Sequence, residues 1–164
     1  NSPEFTWHLT NLNNYVNLRP GSAPDYEMNK AITLSALGHG SGMLGLPGDF
    51  TAPSRFVRAA FFQTTAPQQA TGFDSVVQAF HILNNFDIPA GTELPFGKAS
   101  VDMPSATQFT AVADTKNCIL YYRTMYNSNI RCIDLKTIDF NKIVYQYHPL
   151  DIIKEQPIEM VPIK

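Results

Sequence analysis

Apolar positions recur along this chain with two different periods, and the point where the period changes divides it. From Phe5 to Val16 the apolar residues Phe5, Leu9, Leu12 and Val16 fall at helical spacing, with Asn11, Asn13 and Asn14 on or near the other face. That spacing predicts one amphipathic helix fading near Asn17. The prolines and glycine of residues 19–25 make a loop. Residues 29–37 fit either a short strand or a helix, leading into Gly38-His39-Gly40-Ser41-Gly42, whose three glycines mark a tight turn or a close backbone approach. Gly45, Pro47 and Gly48 then break all regular structure, and Ser54 reads as the N-cap of a helix from Arg55 to about Gln63 that stops before Pro67. Asp74 caps a further helix over Ser75–Asn85, with Val76, Val77, Phe80 and Leu83 on its buried side, ending before Pro89.

The period then falls to two. After a long loop from Pro89 to Pro104, residues 107–113 alternate, 114–117 turn, and 118–124 are rich in strand formers. Asn127-Ser128-Asn129 turns the chain again and Ile130–Leu135 makes a third strand, giving an antiparallel meander. The tail, with Pro149, Pro157 and Pro162, reads as a wrapped extension. Helices followed by antiparallel strands predict the α+β class, a helix layer packed on a sheet. No repeat, low-complexity tract or linker interrupts residues 1–164, which are expected to form one unit with no separate second domain.

Composition narrows the function classes. Hydrophobic residues make up 44% and aromatics 12%, a globular composition that excludes the disordered class. A net charge of -2 gives no electrostatic footprint for nucleic acid, so no such partner is expected. No apolar run approaches the roughly 18 residues of a membrane-spanning helix, and no membrane partner is expected either. The two cysteines, Cys118 and Cys132, could join neighbouring strands as a disulfide, but two buried free thiols are the expected state. The chain opens on Asn1-Ser2-Pro3 without an initiator methionine, and Ser2-Pro3 reads as a cap and first helical position. A helix starting so early suggests a chain cut from something longer.

The four histidines, His8, His39, His81 and His148, show no zinc-ligand spacing with one another, a cysteine or a carboxylate, so they are expected to face solvent or sit satisfied in the core. His39, Ser41 and Asp49 can be drawn as a triad, but no serine here has the Gly-x-Ser-x-Gly elbow that exposes a nucleophile. The same glycines lack the lysine of a phosphate-binding loop. Arg55 is more informative, because a cation is disfavoured near the positive end of a helix dipole and its presence there suggests a use for the charge. Arg55 and Arg58 could equally form surface ion pairs of little worth, the more so for Arg58. No nucleophile and base pair can be picked from the residues alone.

The run Leu44–Phe61, above all Leu46-Pro47-Gly48-Asp49 and Ser54-Arg55-Phe56-Val57-Arg58-Ala59-Ala60, resembles the choloylglycine hydrolase family, the bile salt hydrolases and penicillin V acylases. Asn1-Ser2-Pro3-Glu4-Phe5, Asn11-Leu12-Asn13-Asn14-Tyr15 and Tyr121-Tyr122-Arg123-Thr124 extend the match over most of the chain, which corresponds to the C-terminal half of a family member. The resemblance implies an N-terminal-nucleophile hydrolase with an αββα sandwich, whose processed N-terminal cysteine attacks an amide carbonyl with its own α-amino group as base. It implies that Asn1 helps bind the tetrahedral oxyanion and that Arg55 stands beside the nucleophile, with Arg58 serving only the structure. The substrate implied is a small amide, a conjugated bile acid, with penicillin V as the alternative; a reading of another class is a noncatalytic ligand-binding or relic domain that keeps the fold. It implies no cofactor or metal, and a homo-oligomer. The missing amino-terminal half would carry the cysteine, so this chain alone is expected to be inactive. The spelling of residues 39–43 and 50–53 resembles Gram-negative gut members and implies a periplasmic or exported location.

Overall fold

Helices lead and the larger antiparallel sheet follows, the α+β order that the change of period predicts. The computed structural model describes residues 3–92, 94–95, 98, 105–145 and 147–163. The chain divides into two compact units, Asn1–Pro67 and Gln68–Lys164.

In the first unit, α1 spans Phe5–Asn11 and tightens into a 3-10 turn over Leu12–Tyr15. Glu4 occupies the N-cap position and Pro3 lies outside the helix, so the helix begins later than Ser2-Pro3 suggests; Ser2 itself lies outside the described residues. The apolar stripe is also not the buried face. Phe5, Leu9 and Val16 are exposed, and His8 is the residue that α1 buries. Of the strand and helix readings for residues 29–37, the strand holds: β2 over Ile32–Leu34 pairs with β1 over Tyr26–Asn29 as a hairpin, with Tyr26 opposite Leu34. Its turn is set by Asn29, whose side-chain oxygen accepts the Ala31 N–H at 2.9 Å. Helix α2 spans Ala52–Thr65 and buries Val57 almost completely.

In the second unit, α3 spans Gly72–Leu83 and ends in a 3-10 turn over Asn84–Phe86. Its cap is Thr71 rather than Asp74: the Thr71 hydroxyl oxygen accepts the Asp74 N–H at 3.1 Å and donates to the Asp74 carboxylate at 2.7 Å. Asp74 still serves the helix start, as a first-turn carboxylate. Strands β3 (Phe109–Asp114), β4 (Ile119–Thr124) and β5 (Asn127–Asp134) form the expected meander in sequence order. Val112, Tyr121 and Cys132 share one row across it. Helix α3 packs on the face carrying that row, burying Val76 and Phe80, with Phe73 against Tyr121 and Arg123 over the Phe80 ring. The expected turn at Asn127–Asn129 is the start of β5; the chain reverses at Met125-Tyr126 instead. Cys118 belongs to the preceding turn, because its φ of 58° is left-handed and cannot continue a strand.

The cysteines correct another expectation. Both are free, and both are exposed rather than buried, Cys118 on its turn and Cys132 on the edge strand β5. The tail returns along that strand as an extension: Arg131 donates to the Asp151 carboxylate and the Leu150 carbonyl, each at 2.8 Å, and Gln156 accepts the Ser128 N–H. The loop expected over residues 89–104 lies largely outside the described residues.

Candidate functional site

The turn-forming residues ahead of α2 build a fixed approach to the helix. Gly45 adopts φ +92°, a conformation that a side chain would strain. Asp49 then closes the entry from two sides. One carboxylate oxygen accepts the Thr51 N–H at 2.9 Å and the other accepts the Ser54 hydroxyl at 2.6 Å. The Ser54 hydroxyl, and after it Thr51, hold the Asp49 carboxyl down at about 2, so it is ionised across the working range. An anion here also suits the helix dipole. The N-cap position is Thr51, with Pro53 in the first turn, so α2 begins three residues before the expected Arg55 and runs on to Thr65. Ser54 is therefore a buried first-turn residue of the helix whose hydroxyl serves Asp49.

Arg58 holds the loop from the other side. It is 4% exposed, and its Nη1 donates to the carbonyls of Pro47 and Asp49, each at 2.7 Å, with the guanidinium 5.9 Å from the Phe50 ring centroid. This is a structural arginine, but not a surface ion pair: it satisfies two carbonyls that no helix or strand takes up.

Arg55 is the contrast. One turn earlier on the same helix, it is exposed and makes no side-chain hydrogen bond, ion pair or ring contact among the described residues. Its backbone is fixed, the N–H donating to the Thr51 carbonyl at 3.0 Å. The result is an uncommitted guanidinium on a rigid helix start, suited to stabilising an anion brought to it. Asn1, the other expected site residue, lies outside the described residues.

The other candidates have structural roles. The Ser41 hydroxyl oxygen accepts the Ala23 N–H at 2.9 Å, and Asp49 is committed to Ser54 and Thr51, so no Ser-His-Asp relay is assembled. Of the glycines beside Ser41, Gly42 is the close approach: a Cβ there would stand 2.5 Å from the Arg19 carbonyl oxygen and 2.8 Å from that of Gly21. Its N–H donates to Gly21 O and its carbonyl accepts the Arg19 N–H, both at 2.9 Å. Among the described residues, no three of His, Cys, Asp and Glu gather as metal ligands, and no helix is long and apolar enough to cross a membrane. The sequence pattern gave Arg58 a structural role without its loop partners, and gave Asp49 no part in shaping the loop. The Asp49-Phe50-Thr51 spacing, a carboxylate two residues before a backbone donor, was the available signal for Asp49.

Comparison with known proteins places this geometry in context. The family model for linear amide C–N hydrolases of the choloylglycine hydrolase family matches residues 1–146. A bile salt hydrolase/transferase of Clostridium perfringens is 38% identical over 151 residues, covering 90% of this chain and 44% of that protein. A penicillin V acylase of Pectobacterium atrosepticum is 30% identical over 113 residues, covering 60% of this chain and 28% of that protein. The crystal structure of a conjugated bile acid hydrolase from Clostridium perfringens superposes with a TM-score of 0.72 at 34% identity, covering 99% of this chain and 47% of that one. The chain thus spans less than half the length of the relatives it matches.

Proposed function

The chain belongs to the choloylglycine hydrolase family of linear amide C–N hydrolases, and on that premise we propose that it is the C-terminal half of a conjugated bile salt hydrolase. The proposed whole is one αββα domain, in which residues 1–164 supply helices and the strands of one sheet. The reaction is cleavage of the amide between a bile acid and glycine or taurine. Its nucleophile is an N-terminal cysteine thiolate on the amino-terminal half, which this chain lacks. The greater likeness to bile salt hydrolases than to penicillin V acylase supports the bile-acid substrate.

The observation that carries the proposal is the uncommitted Arg55. A guanidinium beside a cysteine favours the thiolate and remains charged at any working pH. Placed near the start of α2 without an acid of its own among the described residues, it leaves its charge for the nucleophile's anion. Asn1 is proposed as an oxyanion donor: a neutral amide donates without adding a charge to be desolvated, and removal of one such donor costs about 10²–10³ in turnover. The enzyme is further proposed to work as a homo-oligomer without a cofactor.

The test uses the complete protein, with cysteine at its processed N-terminus, assayed on glycocholate, taurocholate and penicillin V. Bile-salt cleavage is expected to exceed penicillin V cleavage, and Arg55→Ala is expected to lower turnover more than tenfold with an unchanged far-UV circular dichroism spectrum. Unchanged turnover in Arg55→Ala would remove it from the mechanism. The 164-residue chain alone is expected to cleave none of the three substrates, and cleavage by it would overturn the division of the site between two halves.

A further inference from the structure

Helix α1, which the chain enters four residues after Asn1, meets α2 through one aromatic joint. The His8 ring lies parallel to the Phe56 ring, 4.6 Å between centroids and 18° between planes. Phe5, one turn earlier on α1, meets Phe56 edge-on at 5.8 Å and 75°. Phe56 is the residue next to Arg55, so the ring that α1 grips is carried by the same first turns that present the guanidinium. His8 is 9% exposed, and its buried Nδ1 has no hydrogen-bond partner among the described residues. The imidazole is therefore engaged through its face, and a bare buried nitrogen is tolerated to keep that face in place.

We propose that His8 is a positioning residue for Arg55: stacked on Phe56, it sets the rotation of α2's first turns, and so the guanidinium, against the helix that follows Asn1. This rests on the reading of Arg55 given above. It assigns His8 no proton transfer and no contact with substrate; its effect on turnover passes through Arg55. The ring face is the working part, so phenylalanine can replace it and alanine cannot.

The test is a double-mutant cycle on the complete protein with a conjugated bile salt, reading kcat and KM separately. His8→Ala is expected to lower kcat about tenfold with KM within about twofold of the parent, and His8→Phe to restore kcat to within about threefold. In the Arg55→Ala background, His8→Ala is expected to lower kcat by less than about twofold further. A full tenfold loss in that background, or an unchanged kcat in His8→Ala alone, would overturn the inference. Should His8→Ala not fold, His8→Phe decides: a folded variant with parental kcat supports the stack, and a folded variant that has lost tenfold shows that the nitrogen matters and overturns it. Arg55→Ala is read first. If it leaves turnover unchanged, the assignment of Arg55 fails; if it is impaired and His8→Ala is not, only the present inference fails.

Discussion

Replacing Arg58 by methionine keeps an unbranched stem in the buried slot and deletes the two bonds that tie residues 47 and 49 to α2. A hydrogen bond from a charged donor contributes about 1.5–3 kcal/mol, but both bonds here leave from the same Nη1, and the strand of loop they hold is partly open to water. The two together are therefore expected to contribute about 2–4 kcal/mol rather than the full doubled figure. Arg58→Lys should recover about half, since one ammonium can reach one carbonyl but lacks the fixed planar fork. The measurement is urea unfolding of the complete protein at constant m-value, alongside Arg55→Ala, whose side chain is exposed and has no partner among the described residues and should shift stability by no more than about 0.5 kcal/mol. The two arginines of one motif thus separate, one destabilising with the loop and one silent in stability. An Arg58→Met variant within about 0.5 kcal/mol of the parent, or an Arg55→Ala variant as unstable as Arg58→Met, would refute the assignment of the loop anchor.

Other consequences are equally direct. The Asp49 carboxyl is held at about 2 against an ordinary 3.8, so its contribution to stability is complete above the ordinary value and is lost as pH falls toward 2. Acid unfolding followed by fluorescence should accordingly show a smaller pH dependence between those values in Asp49→Asn, and Ser54→Ala, which removes the largest cause, should give part of the same change; parental acid curves in both would count against the hydrogen-bonded entry. Thr71→Ala should cost about 1 kcal/mol through loss of the α3 cap, measured by chemical denaturation. In the complete protein, Cys118→Ser and Cys132→Ser should leave bile-salt turnover within about twofold, since neither thiol pairs and single exposed substitutions are mild; a larger loss in either would give that thiol a role.

What could be read in the sequence was whatever depends on nearest neighbours along the chain. Val76 and Phe80 face inward from α3 as their spacing requires, and the alternating residues of β3 to β5 make the meander in the expected order. Boundaries went astray where a side chain reached back to cap them. Ser54 looked like an N-cap, but Asp49 closes the entry five residues earlier and Pro53 is preset for the first turn, so α2 starts sooner. Thr71 displaced Asp74 for the same reason. That Arg58 serves only the structure was legible from the family resemblance, but its partners were not, because the two carbonyls it meets are nine and eleven residues away and depend on how the loop folds back. Burial was overestimated for Cys118, Cys132 and the apolar stripe of α1, since strand and helix patterns identify an apolar face without saying that this chain covers it. At the candidate site, Arg55 was identified from the mismatch between its charge and its place on the helix, a local property; the aromatic joint at His8 joins residues nearly fifty apart and left no trace in either segment.

The packing of Gly42 bears on how this chain can vary. Alanine at Gly38 or Gly48 would meet open space, whereas the smallest possible side chain at Gly42 would run into the backbone of two residues in another loop. In a saturation library selected for folded protein, position 42 should therefore return glycine alone, while positions 38 and 48 accept substitutes freely. A glycine-rich spelling is thus not one evolutionary constraint but several of unequal force: contact fixes position 42, a positive φ restrains position 45, and positions 38 and 48 are free to drift.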